Sequence, residues 1–72
     1  MQFYQRLRDV REDADKNQSE IAALLATTQQ QYSRWESGSR QMPIEHYKTL
    51  AEFYNVSIDY LAGLIETPRK LR

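Results

Sequence analysis

Two closely spaced helix-start signals constrain this chain more than anything else in it. Asn17 can cap a helix, and Glu20, three residues on, completes a capping box with it. Thr28 and Gln31 repeat the arrangement. Between the two signals Ile21, Ala22 and Leu25 form one apolar stripe, so the first helix of the pair ends near Leu25. A connection of about three residues, Ala26-Thr27-Thr28, leads into the next helix. That is too tight for side-by-side antiparallel packing over any length, so the two helices must cross at a large angle, as in a helix-turn-helix.

The flanking segments read as helices too. Only two glycines and two prolines interrupt the 72 residues, and no segment sustains the period-two alternation of a strand. Phe3, Leu7, Val10 and Ala14 recur at helical spacing and predict helix one over about residues 2–14, broken by Asp15-Lys16. Helix three runs from its cap at Thr28 to about Ser37, with Gly38 as a left-handed terminator. Pro43 opens a fourth helix whose apolar face is Ile44, Tyr47, Leu50, Ala51 and Tyr54. Ser57 caps a fifth, with Ile58, Leu61, Ala62 and Ile65 facing inward and Gly63 as an early stop. The expected architecture is all-α: one compact five-helix domain over residues 1–66, with Trp35 central in its core, and a basic, poorly ordered tail over 67–72.

Composition excludes several classes of chemistry. The chain has no cysteine and one histidine, so it can build no disulfide framework, thiolate zinc site or multi-histidine metal site. A domain this small buries only about 60% of its unfolded surface and leaves no room for a cleft between lobes. The longest apolar run, Ile21 to Ala26, is far short of the ~20 residues that span a bilayer. The amino terminus lacks the apolar stretch of a signal peptide, so the cytoplasm is the expected location. Glu12, Asp13 and Asp15 cluster, but residues adjacent on a helix do not face each other; they read as a solvated patch, not a metal site. His46 has no nucleophile or orienting partner in the sequence and reads as a surface histidine. Tyr47, Phe53, Tyr54 and Tyr60 are spaced for core and core-rim packing, not as a stacking platform. No enzyme, cofactor or small-molecule ligand is implied.

Charge gives no bulk attraction for an anionic partner. Ten Lys and Arg balance ten Asp and Glu. Arg69, Lys70 and Arg72 are in the last four residues, so up to Glu66 seven positives face ten negatives, a net of −3. Any claim of nucleic-acid binding must rest on local geometry.

Helix three supplies such geometry. At ~100° per residue, Gln29, Ser33, Ser37, Gln30 and Arg34 fall within one arc of ~140°, while Tyr32 and Trp35 lie opposite. All five residues of the arc are polar, and none is the Glu or Lys that an ordinary exposed helix favours. Amides and guanidinium forks are the groups that read base edges: glutamine matches N6 and N7 of adenine, and arginine matches O6 and N7 of guanine. Ser33 and Ser37 are short enough for close approach. The helix N-terminus adds unpaired N–H groups suited to a phosphate.

The stretch from Asn17 to Gly38, followed by Pro43, Leu50-Ala51-Glu52 and Asn55-Val56-Ser57-Ile58-Asp59-Tyr60-Leu61, resembles the phage repressor and Cro family, also called XRE-like regulators. The resemblance covers nearly all of the chain up to Gly63, and many positions match at fixed spacing. It implies a lambda-repressor-like DNA-binding domain whose helix-turn-helix is formed by helices two and three. Gln29, Gln30, Ser33 and Arg34 match base-reading positions. Gln18 matches a phosphate-contacting position that also buttresses the first reading residue. Ser19, Thr28, Arg11, Ser37, Ser39 and Arg40 fall where phosphates are touched. Arg11 and Glu36 match a salt bridge between helix one and the end of helix three. The chain departs from the pattern at Ala26 and Asp15, where glycine is common. The usual glycine at the Ala26 position serves a left-handed or close-packed backbone. Lys16 stands where an apolar residue is usual, so its stem must cover the core while its charge reaches water. The loop after Gly38 holds a single arginine.

The expected function is a sequence-specific, double-stranded DNA-binding transcriptional repressor. It would insert helix three, about 28–37, into the major groove as a homodimer, with Leu64, Ile65 and Leu71 as a candidate seam. The alternative is a protein-interaction module on the same fold, such as an antitoxin or anti-repressor partner, which the near-neutral charge favours.

Overall fold

The computed structural model describes residues 3–68 and residue 70, with side chains from Arg6 onward. Five helices follow in order: α1 (Phe3–Asp13), α2 (Gln18–Leu24), α3 (Gln29–Ser37), α4 (Ile44–Tyr54) and α5 (Ile58–Leu61). No strand occurs among the described residues. The expected start of helix one at Gln2, the inward face of Phe3, and the tail residues Arg69, Leu71 and Arg72 lie outside what is described.

The helix starts follow from the caps. Asn17 Oδ1 accepts from the Glu20 N–H at 2.8 Å, and Glu20 Oε1 accepts from the Asn17 N–H at 3.0 Å, so the capping box is closed on both sides. Thr28 Oγ1 accepts from the Gln31 N–H at 3.1 Å, and Ser57 Oγ accepts from the Tyr60 N–H at 3.2 Å. Each bond satisfies one of the donors a helix leaves orphaned at its start.

Four helix ends close by one device. Asp15, Ala26, Asn55 and Gly63 adopt φ of 58°, 56°, 57° and 77°. Each donates its N–H to the carbonyl three residues back, and the next residue donates to the carbonyl five back: Lys16 to Arg11 at 3.2 Å, Thr27 to Ala22 at 2.9 Å, Val56 to Ala51 at 3.0 Å, and Leu64 to Asp59 at 2.9 Å. This is the Schellman closure, which a left-handed residue makes possible. Glycine occupies that residue at one of the four ends. At the Ala26 end the closure stops α2 abruptly and delivers Thr28 as the cap of α3 two residues later, so the short connection is physically realised. The backbone there is the left-handed one that a glycine would serve, and alanine holds it at a cost of about 1–2 kcal/mol.

The core takes one fully buried large residue from every helix: Leu7, Ile21, Tyr32, Leu50 and Leu61. Val10, Ala22, Leu25, Trp35, Met42, Tyr47 and Ala51 join them. α3 packs on α1 and α2, and α5 packs on α1 and α4. Trp35 is buried in the core as expected, its indole centroid 5.0 Å from the His46 ring. His46 is accordingly half-buried and not a free surface histidine. Three further expectations change. Ala14 is exposed in the turn after α1, Ile44 is 54% exposed at the start of α4, and Phe53 is 46% exposed on its outer side. The fifth helix is a single turn, because the left-handed Gly63 stops the chain just past it.

Arg6 is buried to 2% exposure although charged. Its Nη1 donates to the carbonyls of Tyr60 and Ile65, both at 3.0 Å, and its guanidinium carbon lies 4.1 Å from the centre of the Tyr60 ring. Nη2 reaches Glu66 Oε2 at 3.5 Å. The guanidinium therefore satisfies the carbonyls at the end of α5 and of the segment behind it, and ties both to α1. The Lys16 side chain is 38% exposed, and its Nζ reaches Glu20 Oε2 at 4.0 Å.

Candidate nucleic-acid interface

The polar arc of α3 faces outward. Gln29, Gln30 and Arg34 are exposed and Ser33 is half-buried. Together with Gln18 they line one open groove of about 470 Å³. On the opposite side Tyr32, Trp35 and Glu36 are buried. The helix is thus anchored by an indole and a phenol and presents two amides and a guanidinium to solvent. Gln29 and Gln30 open the helix directly after the Thr28 cap, so both amides stand at its N-terminal end.

A buried ion pair fixes the other end. Arg11 Nε donates to Glu36 Oε2 at 2.8 Å and Nη2 to Glu36 Oε1 at 2.9 Å, with side chains 11% and 4% exposed. Arg11 Nη1 donates to the Lys16 carbonyl at 2.8 Å. Gln18 Nε2 donates to Glu36 Oε1 at 3.2 Å. One carboxylate therefore joins α1, α2 and α3. Burial alone would push the Glu36 carboxyl up, but Arg11, Tyr32 and Gln18 around it hold it below the usual carboxylate range. The paired hydrogen bonds to Glu36 raise Arg11 in turn. The phenols of Tyr32 and Tyr54 are buried nearby; burial pushes both upward, Tyr54 to about 12.

The hydroxyls of Ser37 and Ser39 both donate to the Arg34 carbonyl at 3.2 Å, and the Arg40 N–H does the same at 3.2 Å. They close the helix end and shape the loop that carries the exposed Arg40. Thr28 is also exposed.

Two assignments shift within this frame. All three guanidinium nitrogens of Arg11 point at protein acceptors, so its place is inside the hub. Gln18 lines the groove, yet its amide turns to Glu36; the side chain that touches Gln29 is Ser19, whose Oγ donates to Gln29 Oε1 at 2.9 Å. No periodicity or cap signal marks the Ser19–Gln29 contact, because it crosses the turn between two helices.

Two short helices crossing at a tight turn, with the second anchored on its back and polar on its front, define a helix-turn-helix domain. The chain belongs to the helix-turn-helix family of transcriptional regulators, whose pattern matches residues 7–61. It is 30% identical over 66 residues to YobD of Bacillus subtilis (strain 168), an uncharacterised HTH-type transcriptional regulator, covering 92% of this chain and 59% of that protein. It is 34% identical over 65 residues to the cryptic phage CTXphi transcriptional repressor RstR of Vibrio cholerae, covering 90% of this chain and 59% of the repressor. A crystal structure of a transcriptional regulator from Listeria innocua superposes with a TM-score of 0.82 at 27% identity, over 92% of this chain and 62% of that one. The chain thus spans about three-fifths of the length of these relatives. Among the described residues no helix is long and apolar enough to cross a membrane, and no cluster of potential metal ligands occurs.

Proposed function

We propose that this chain is a sequence-specific, double-stranded DNA-binding regulator that inserts α3 into the major groove. One observation carries the reading: Gln29, Gln30 and Arg34 are exposed on one face of a helix whose opposite face is locked into the core. α2 crosses the backbone above it, as in phage repressors. Gln29, Gln30, Ser33 and Arg34 contact base edges. Gln18, Thr28 and Arg40 lie beside the flanking phosphates, while Arg11 and Glu36 hold the reading helix at its angle. Two subunits read half-sites ~34 Å apart. The homodimer is supported by Leu64, 75% exposed beside the partly buried Ile65. Bound at a promoter in the cytoplasm, such a dimer represses by occluding polymerase.

Selection of bound duplexes from a random-sequence pool tests the reading. A pseudo-palindromic motif with one helical turn between half-site centres is expected. Enrichment of no motif, with tight capture of a protein partner instead, is the outcome of the interaction-module alternative, which the net charge of −3 up to Glu66 favours.

A further inference from the structure

We infer that Arg6 is a positioning residue for self-association: from inside the fold it fixes how Leu64 is presented to a second copy of the chain. The inference rests on the homodimer proposed above. Gly63 stops α5 in left-handed backbone, and the Leu64 N–H donates back to the Asp59 carbonyl at 2.9 Å. Beyond that bond the chain is irregular, and Leu64 is 75% exposed. Arg6 grips the backbone on both sides of it. Its Nη1 donates to the Tyr60 carbonyl before Leu64 and to the Ile65 carbonyl after it, both at 3.0 Å, while Nη2 reaches Glu66.

A leucine on a free segment lowers its apolar area by turning the segment inward. Here the guanidinium already occupies the inward side, so the leucine is kept facing water. A charged group buried to 2% exposure is costly unless its donors are satisfied. Two of the acceptors that satisfy this one flank Leu64, so the bonds that make a buried arginine tolerable also hold the leucine out. A second copy is the occupant that fits. A two-fold contact must be self-complementary. Leu64 against Leu64 is so by identity, and Glu66 and Lys70, both exposed, follow it with opposite signs. Glu66 of one copy can therefore face Lys70 of the other across the axis.

The test is sedimentation equilibrium on the DNA-free chain, for wild type, Leu64→Ala, Arg6→Met, Arg6→Lys and the double variant of Arg6→Met with Leu64→Ala. A duplex carrying one half-site of the selected motif is titrated alongside, at a temperature where circular dichroism shows the helices intact. Leu64→Ala and Arg6→Met are each expected to weaken self-association on the order of tenfold and to leave half-site affinity unchanged. The double variant is expected to be no weaker than Leu64→Ala, because Arg6 acts through Leu64. Arg6→Lys, which keeps a buried cation, falls between wild type and Arg6→Met. An Arg6→Met or Leu64→Ala protein that self-associates like wild type overturns the inference. So do losses that add in the double variant, an equal loss of half-site affinity, or two Arg6 variants that fail to fold, since the arginine then serves stability alone. A monomeric wild type removes the homodimer and the role of Arg6 together. A dimeric wild type that selects no duplex removes only the DNA reading, because the sedimentation arm uses no DNA.

Discussion

Arg11 and Glu36 meet through two parallel hydrogen bonds inside the protein, at 2.8 and 2.9 Å, and a third helix adds Gln18 to the same carboxylate. A paired charge in a dry site is held mainly by its partner, and removing one member strands the other. Glu36→Ala and Arg11→Ala are each expected to lose about 3–5 kcal/mol, enough to unfold much of a domain this size. Replacing both residues by apolar ones of similar volume is expected to lose much less than the two single losses added together. Thermal melts of the three variants check this; single variants that melt like wild type would show that the pair does not brace α3.

The same carboxylate makes stability depend on pH. Glu36 in the folded chain holds its proton less tightly than in the unfolded chain. Its contribution is complete above the ordinary glutamate value and is lost as pH falls through the lower folded value. Denaturant midpoints measured down that range are expected to drop for wild type. Tyr54 acts at the other extreme. Burial raises its phenol to about 12, so the unfolded chain ionises first as pH rises past ~10 and stability falls from there. Burial raises Tyr32 and Tyr47 as well, so Tyr54→Phe is expected to lessen the alkaline fall without abolishing it; an unchanged profile would mean that the other phenols carry it.

Ala26 and Asp15 hold left-handed backbone without being glycine. Ala26→Gly is expected to stabilise the domain by about 1 kcal/mol, which raises Tm by roughly 4–8 °C for a chain this short. Asp15→Gly and Asn55→Gly gain less, because aspartate and asparagine tolerate this region. A destabilised Ala26→Gly would show that the alanine methyl packs in a way that outweighs the backbone relief.

Few cations flank α3. Arg34 lies on it and Arg40 follows it, both exposed. With Arg34 on a base edge and Arg40 on a phosphate, the plot of log K against log salt is expected to have a slope of about −1 per subunit. Titrations between low and moderate salt measure this directly; a slope several times steeper would place far more phosphate contacts on the protein.

Much of this is legible in the sequence alone. The capping pairs at Asn17, Thr28 and Ser57 are local, so spacing alone located α2, α3 and α5. The polar arc of α3 was equally local, since one helix's periodicity defines it. What escaped depended on distant partners. Arg6 is buried because two carbonyls and the ring of Tyr60, far along the sequence, surround it, and no window around Arg6 contains them. Met42 sits in a loop without periodicity and still fills the core. Ile44 and Phe53 failed in the other direction: apolar character permits burial without enforcing it. The bond between Ser19 and Gln29 needed the angle of the turn, which a left-handed alanine sets.

The contact of Arg6 with Tyr60, Ile65 and Glu66 joins the two extremities of the described fold into a ring. Peripheral segments ordinarily fray first and independently. Here α1 and the segment after α5 share one fastening, so unzipping from either side releases the other. Amide exchange in both is expected to accelerate together when that guanidinium is removed, making the two ends a single cooperative unit.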